Sequence, residues 1–180
     1  MDRPVALIPL NCLRCSSPVP AEPDEAAWLC SQCGQGMLLD PNNGLLPLPF
    51  KFSRLLQPNA LGKPYWIAEG AVKLDRYSYG SADRTDREAE IFWGQPRRFF
   101  VPAYNSTLEN ILNSAQQYLL NPPELVEGPS MPFEPVTLQL EDVRPAVEFV
   151  VMAVEAGRKD KLKKMEFDLD LSSPVLWILP

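Results

Sequence analysis

The chain has 180 residues and a formal net charge of −6, which allows one ordinary domain or a domain with a small appendage. The acidic balance argues against general binding to nucleic acids or anionic membranes, and the 46% hydrophobic content argues against global disorder. The sequence contains no histidine, which excludes histidine-based acid–base catalysis and every zinc site that needs an imidazole ligand.

The first ten residues do not have the pattern of an export signal. Their short apolar stretch lacks a basic region before it, and Pro4 and Pro9 interrupt it. The longest strongly apolar stretch later in the chain, residues 149–154, is far shorter than the roughly 20 residues that span a membrane. We therefore expect a soluble, cytoplasmic protein without a membrane span, whose thiols are kept reduced.

Two cysteine pairs near the N-terminus carry the strongest chemical signal. Each has the form C-x2-C, and the 14 residues 16–29 lie between them. Each pair presents two thiolates from one tight turn, so two turns that face each other can complete a tetrahedral Zn²⁺ shell. The intervening segment is rich in serine and proline and can double back. The pattern predicts one structural Zn²⁺, bound by Cys12, Cys15, Cys30 and Cys33.

This segment resembles the zinc-ribbon family over roughly the first 40 residues. The resemblance rests on the cysteine spacing, on a glycine after the second pair and on an apolar approach to it: Cys12, Cys15, Cys30, Cys33, Gly34 and Trp28-Leu29. It implies a small β-hairpin module built on metal, which most often mediates contacts with proteins or nucleic acids. The spacing is one residue shorter than usual, and Ser16 follows the first pair where glycine is commoner.

Three other uses of the cysteines are open at this point. Disulfide bonds would allow three pairings, but the chain shows no export signal. An iron site of the rubredoxin type also uses two C-x2-C turns, and it would call for a denser aromatic shell than Trp28 alone. A thioredoxin-like dithiol would need one reactive pair in a βαβ setting. A closed tetrathiolate site keeps no open position for substrate, so we predict that the metal is not catalytic.

The segment after the cysteines is punctuated by proline and then becomes rich in strand-forming residues. Residues 41–64 are too apolar for a free linker and predict an extended connector packed on the next domain, with an edge strand. Strands are predicted in residues 65–74, 91–93 and 97–101. The polar stretch 80–90 predicts an exposed hairpin loop or a mobile flap.

Two helices are predicted in the C-terminal half. Ser106 to Glu109 form a capping box, with Ser106 as the N-cap, and the helix that follows ends at Asn121. The five prolines in residues 122–135 predict a rigid irregular connection, and residues 136–140 predict a strand. A second, well-buried helix begins near Asp142. Residues 165–171 alternate apolar and acidic side chains, which predicts a half-buried strand, and residues 175–179 predict the last strand.

The order of these elements predicts an α+β fold. We expect a zinc ribbon at residues 1–40, the proline-rich connector at 41–64, and at 65–180 a mainly antiparallel sheet covered by two helices. The ribbon is expected to lie beside the larger domain or to be hinged to it. A Cys30→Ser substitution should then unfold the ribbon and leave much of the larger domain's circular dichroism intact.

Two further groups of residues have the composition of a binding site, one for nucleic acid and one for a cation. Residues 41–105 carry a charge of +3 and interleave basic and aromatic side chains, as in Arg97-Arg98-Phe99-Phe100, which is typical of a nucleic-acid platform. Ordinary alternation along a strand is the simpler interpretation, because a charge of +3 is a small electrostatic footprint. Glu166, Asp168 and Asp170 can bind a hard cation, but strict alternation already explains them as a solvated face.

The sequence therefore favours a non-enzymatic function. We predict a zinc-ribbon protein that acts as a protein–protein interaction adaptor, or as an accessory subunit, with a stable protein partner. The alternative is a nucleic-acid-binding zinc-ribbon protein that uses the basic and aromatic segment 41–105. The third possibility is a redox protein with an iron tetrathiolate.

Overall fold

The computed structural model describes residues 9–79, 83–160 and 162–180. These residues form eight strands and three α-helices. In chain order they are β1 (Ala27–Leu29), β2 (Gly36–Asp40), β3 (Gly44–Pro47), β4 (Phe50–Phe52), β5 (Lys63–Ser78), α1 (Asp83–Trp93), β6 (Arg97–Pro102), α2 (Leu108–Leu120), α3 (Val143–Ala156), β7 (Leu162–Leu171) and β8 (Val175–Leu179). A short 3₁₀ turn, Leu140–Asp142, leads into α3.

The strands form two sheets. β1, β2 and β3 make an antiparallel sheet in that order. The larger sheet has the order β4-β8-β5-β6, with β7 also paired to β5. β5 is 16 residues long and pairs antiparallel with β8 near its start, with β7 near its end and with β6 along its other edge. The α+β class is confirmed, and the larger sheet is mixed because β4 pairs parallel with β8.

One hydrophobic core joins the two sheets. The inner face of α3, with Val147, Val150 and Val151, packs in the same cluster as Trp66 of β5. The small sheet contributes to this cluster as well, through apolar side chains that include Leu38 of β2. The cysteine-bearing segment thus buries its apolar face against the larger sheet. β3 extends the small sheet beyond residue 40, where the sequence placed the end of the first module.

An irregular connection, residues 121–138, links α2 to the turn before α3 and holds distant parts of the chain together. The amide of Arg54 donates to the carbonyl of Val126 (2.8 Å), and Gly62 exchanges backbone hydrogen bonds with residues 132 and 134. At its far end, the carbonyl of Val136 accepts from the amide of Ala26 (2.7 Å). This segment therefore fastens the small sheet to the larger one.

The structure corrects the prediction for residues 83–93. The sequence predicted a loop or flap at 80–90 and a strand at 91–93, but residues 83–93 form α1, and residues 80–82 lie outside the described residues. Ala89 and Trp93, four residues apart, are the buried positions of this helix. The described residues therefore form three α-helices where two were predicted. The helix was missed because only these two side chains and part of Phe92 provide its apolar face.

Two smaller predictions were also wrong. Residues 136–140 do not form a strand, because Val136 makes only an isolated bridge with Ala27. The N-cap of α2 is Thr107 and not Ser106, since the Thr107 hydroxyl accepts from the amide of Asn110 (3.3 Å). The end of α2 at Asn121 and the start of α3 after Asp142 agree with the sequence.

Candidate metal centre

The four cysteines lie on two loops at one end of the small sheet. Cys30 and Cys33 belong to the connection between β1 and β2, whose pairing brings Leu29 opposite Gly36. Cys12 and Cys15 lie in a turn that precedes β1 in the sequence. The hairpin therefore positions one pair, and the folding back of residues 16–26 brings the other pair to it.

The two loops have the same backbone hydrogen bonds. In the first loop the amide of Cys12 donates to the carbonyl of Ser17 (2.8 Å), and the amide of Ser16 donates to the carbonyl of Cys12 (2.9 Å). In the second loop the residues at the corresponding positions make the same two bonds, each at 2.8 Å. Each turn thus holds its two thiols on the same side of the backbone.

The repetition extends to the backbone dihedral angles. Gly34 has φ = +72°, a left-handed conformation that glycine adopts without steric cost. Ser16, at the same position of the first loop, has φ = +59°. A non-glycine residue in this region is uncommon, so the first loop maintains the turn geometry without the usual residue.

The sulfur atoms converge on one point. The four Sγ atoms lie within 4.8 Å of one another, with 3.5 Å between Cys12 and Cys33 and 3.7 Å between Cys15 and Cys30. A tetrahedron with Zn–S bonds of about 2.3 Å has edges of about 3.8 Å. All four thiols are free. The residues therefore fit one metal ion in a four-sulfur shell, as the sequence predicted.

The surroundings of the thiols differ in their electrostatic effect. Backbone N–H groups of Cys15 and Arg14 lower the pKa of Cys12, and the Ser17 hydroxyl, 3.4 Å from Cys15 Sγ, lowers the pKa of Cys15 to about 6. The Gln35 backbone lowers the pKa of Cys33, but desolvation and the neighbouring thiols outweigh it and raise that pKa to about 12. The site thus favours the thiolate form on the first loop, and thiolates are the form that binds metal.

A separate apolar cluster supports the cysteines. Met37 is fully buried beneath them, and Cys12, Cys30, Val19 and Trp28 are each less than a tenth exposed. The indole N–H of Trp28 donates to Glu25 Oε2 at 2.7 Å, so its one polar atom is satisfied. This packing fixes the approach to the second cysteine pair.

The basic and aromatic run at 97–100 is engaged within the fold. Phe99 and Phe100 are each 1% exposed and belong to two clusters on the larger sheet. The Arg97 guanidinium donates to the carbonyl of Phe92 and stacks over its ring, and Arg98 pairs with Glu69 at 2.9 Å. These side chains are therefore not arranged as a stacking platform for bases.

The acidic face of β7 does not form a metal site. Among residues 9–79, 83–160 and 162–180, only the four cysteines form a group of three or more ligands within reach of one ion. Asp168 lies opposite Lys73 of β5, and Glu166 pairs with Lys164 at 2.7 Å. The solvated-face interpretation of this strand agrees with those contacts.

A buried ionic cluster was missed by the sequence analysis. Glu155 of α3 is fully buried, and its Oε1 accepts from Trp93 Nε1 (2.7 Å) and from Arg158 Nε (2.8 Å). Its Oε2 lies 3.1 Å from Nε of Arg76, which also pairs with Asp86 (2.6 Å) and Asp160 (2.9 Å). The signal was present in the sequence, since Glu155 continues the four-residue spacing of Val147 and Val151 on the buried face.

Comparisons with known proteins do not extend this description. No protein-family model matches the chain, and no curated protein or solved structure matches it either. Among the described helices, none combines the length and apolar character needed to cross a membrane. The geometry of the chain is therefore the basis for the proposals that follow.

Proposed function

We propose that this chain is a zinc-ribbon protein that acts without catalysis as a protein–protein interaction adaptor or accessory subunit. The observation that carries the proposal is the convergence of four thiols, within 4.8 Å, from two turns with the same hydrogen bonds. Four sulfur ligands complete a tetrahedral shell and leave no open coordination position. An ion bound there supplies folding energy to the small sheet.

The choice of zinc rests on the donor set and on the expected compartment. Soft thiolates select zinc or iron among the common metals, and the chain offers no histidine. Four free thiols are compatible with a reducing compartment. We therefore propose zinc at this site and a cytoplasmic location.

Metal analysis of the purified full chain tests the first part of the proposal. Native mass measurement combined with elemental analysis should give one zinc per chain and a colourless protein. Cys33→Ser should lose the metal, while Ser31→Ala, an exposed non-ligand in the same loop, should retain it. A coloured protein with one iron, or a chain that binds no metal at micromolar zinc, would refute the zinc site.

A pull-down from source cells at low salt tests the adaptor role. We expect one protein recovered in stoichiometric amount with the metal-bound chain. Binding of single- or double-stranded oligonucleotides that weakens steeply with added salt would instead support the nucleic-acid alternative. Recovery of no stoichiometric partner would refute the adaptor proposal.

A further inference from the structure

A groove runs along the free edge of β1, and we refer to it as the β1 groove. It has a volume of about 200 Å³, and the five consecutive residues 27–31 line it. Residues 18–20, Glu25, Phe133 and Pro135 complete its lining. It therefore lies between the cysteine-bearing segment and the irregular connection 121–138.

The backbone edge within this groove is largely unpaired. β1 is the terminal strand of its sheet, and in the described chain its outer side pairs only at Ala27, with Val136. A free strand edge inside a groove is the arrangement that extended peptides use when they add a strand to a sheet. The groove is too small for most small-molecule ligands, whose pockets measure about 300–1,000 Å³, but it holds one long side chain.

The groove also presents a fixed carboxylate. Glu25 Oε2 accepts from the indole N–H of Trp28 (2.7 Å) and from the amide of Glu22 (2.9 Å). Its Oε1 accepts no hydrogen bond from the described residues and is not a buried atom. Two hydrogen bonds thus orient the side chain and leave one oxygen without a donor among residues 9–79, 83–160 and 162–180.

The charge of this region favours a cationic occupant. Among the described residues that line the groove, Glu25 is the only charged one. Residues 9–40 contain four acidic side chains and the single base Arg14. Arginine suits the lining better than lysine, because its planar guanidinium stacks on aromatic side chains and donates to a carboxylate at the same time.

We propose that the β1 groove binds an extended segment of a partner protein that carries an arginine. The segment pairs with the outer edge of β1, and its arginine lies against Phe133 with the guanidinium donating to Glu25 Oε1. This inference rests on the proposed adaptor function and identifies the surface and the chemistry of the partner.

A peptide titration tests the groove with the zinc-loaded full chain. The probe is the acetylated and amidated peptide Thr-Val-Thr-Arg-Thr-Val-Thr, and its control replaces arginine with citrulline, which has the same shape without the charge. In ¹⁵N-labelled protein we expect saturable shifts in the amides of residues 27–31 and in the Trp28 indole. The arginine peptide should bind about tenfold more tightly than the citrulline peptide.

Two variants locate the effect at one carboxylate. Glu25→Gln keeps the shape of the side chain and should remove the difference between the two peptides. Glu22→Gln changes a neighbouring exposed carboxylate that does not line the groove, and it should alter the affinity by less than about twofold. The comparison of the two peptides on the wild-type chain decides the question even if Glu25→Gln does not fold.

The proposal is overturned if both peptides bind equally, if the shifts lie outside the groove, or if millimolar peptide produces none. Its failure is separable from failure of the adaptor role. A stable partner retained equally by wild type and by Glu25→Gln would support the adaptor role and exclude the groove. A peptide that saturates the groove, in a chain for which no partner is recovered, would support the groove and exclude the adaptor role.

Discussion

Removal of Glu155 should be among the most destabilising single changes in this protein. Its carboxylate is fully buried and is the common partner of Trp93, Arg158 and Arg76. Glu155→Ala would leave the indole N–H of Trp93 without its acceptor and Nε of Arg76 without its facing charge. The loss of one partner from a buried ion pair costs about 3–5 kcal/mol, because the remaining charge stays buried.

This range predicts a measurable change in the melting temperature. For a domain of 150–250 residues, each kcal/mol lowers the melting temperature by about 2–4 °C, so Glu155→Ala should lower it by about 6–20 °C. Glu155→Gln keeps an acceptor for Trp93 and loses only the charge, so its effect should be smaller. Thermal and urea unfolding at pH 7, followed by circular dichroism, would measure both.

The same helix offers a matched control. Glu148 also pairs with an arginine, Arg144 at 3.2 Å, but both side chains are partly exposed at 39% and 55%. Glu148→Ala should therefore cost less than about 1 kcal/mol. If Glu155→Ala destabilised the protein no more than Glu148→Ala, the view that the buried cluster holds α1 and α3 against β5 would be refuted.

Three further results are expected from the structure. A Gly36→Ala substitution should destabilise the small sheet by about 1–3 kcal/mol, since the new Cβ would clash with the carbonyl oxygen of Leu48. Urea unfolding with no loss of stability would contradict this contact. Burial raises the pKa of Asp160, but hydrogen bonds and charge from Arg76 outweigh it and lower that pKa. The contribution of Asp160 to stability should therefore be complete above about pH 4 and lost as the pH falls further. In Asp160→Asn the stability should depend less on pH below about pH 4 than it does in the wild type. The shared core changes the expectation for Cys30→Ser, which the sequence alone predicted to unfold only the ribbon. Cys30→Ser or chelation should lower the unfolding midpoint of the whole chain in one transition, and two separate transitions would support independent modules.

Local patterns explain what the sequence analysis predicted correctly. The clustering of the cysteines follows from C-x2-C turns, whose geometry depends on few neighbouring residues. α3 was found because its valines repeat at helical spacing, and β7 because Met165 to Leu171 alternate strictly. For α3 and β7 the information lies within about a dozen consecutive residues.

The errors arose where distant contacts decide the local structure. α1 buries little apolar surface, and one of its contacts is the ion pair between Asp86 and Arg76, which hydrophobic periodicity does not reveal. Residues 136–138 have strand-forming side chains, yet their backbone groups bond to Ala26 and Ala103 in place of a continuous partner strand. The β1 groove likewise depends on residues more than 100 positions apart in the chain.

The hydrogen bond between Ala26 and Val136 has a consequence for synthesis of the protein. On the ribosome Ala26 emerges 110 residues before Val136, the residue of the irregular connection to which it bonds. This separation corresponds to about 6–20 s of translation. β5 and β6 are made within that interval, but the hydrogen bond to Val136 can form only at its end. Early capture of a metal ion would give the cysteine-bearing segment a defined shape before residues 121–138 are available to hold it.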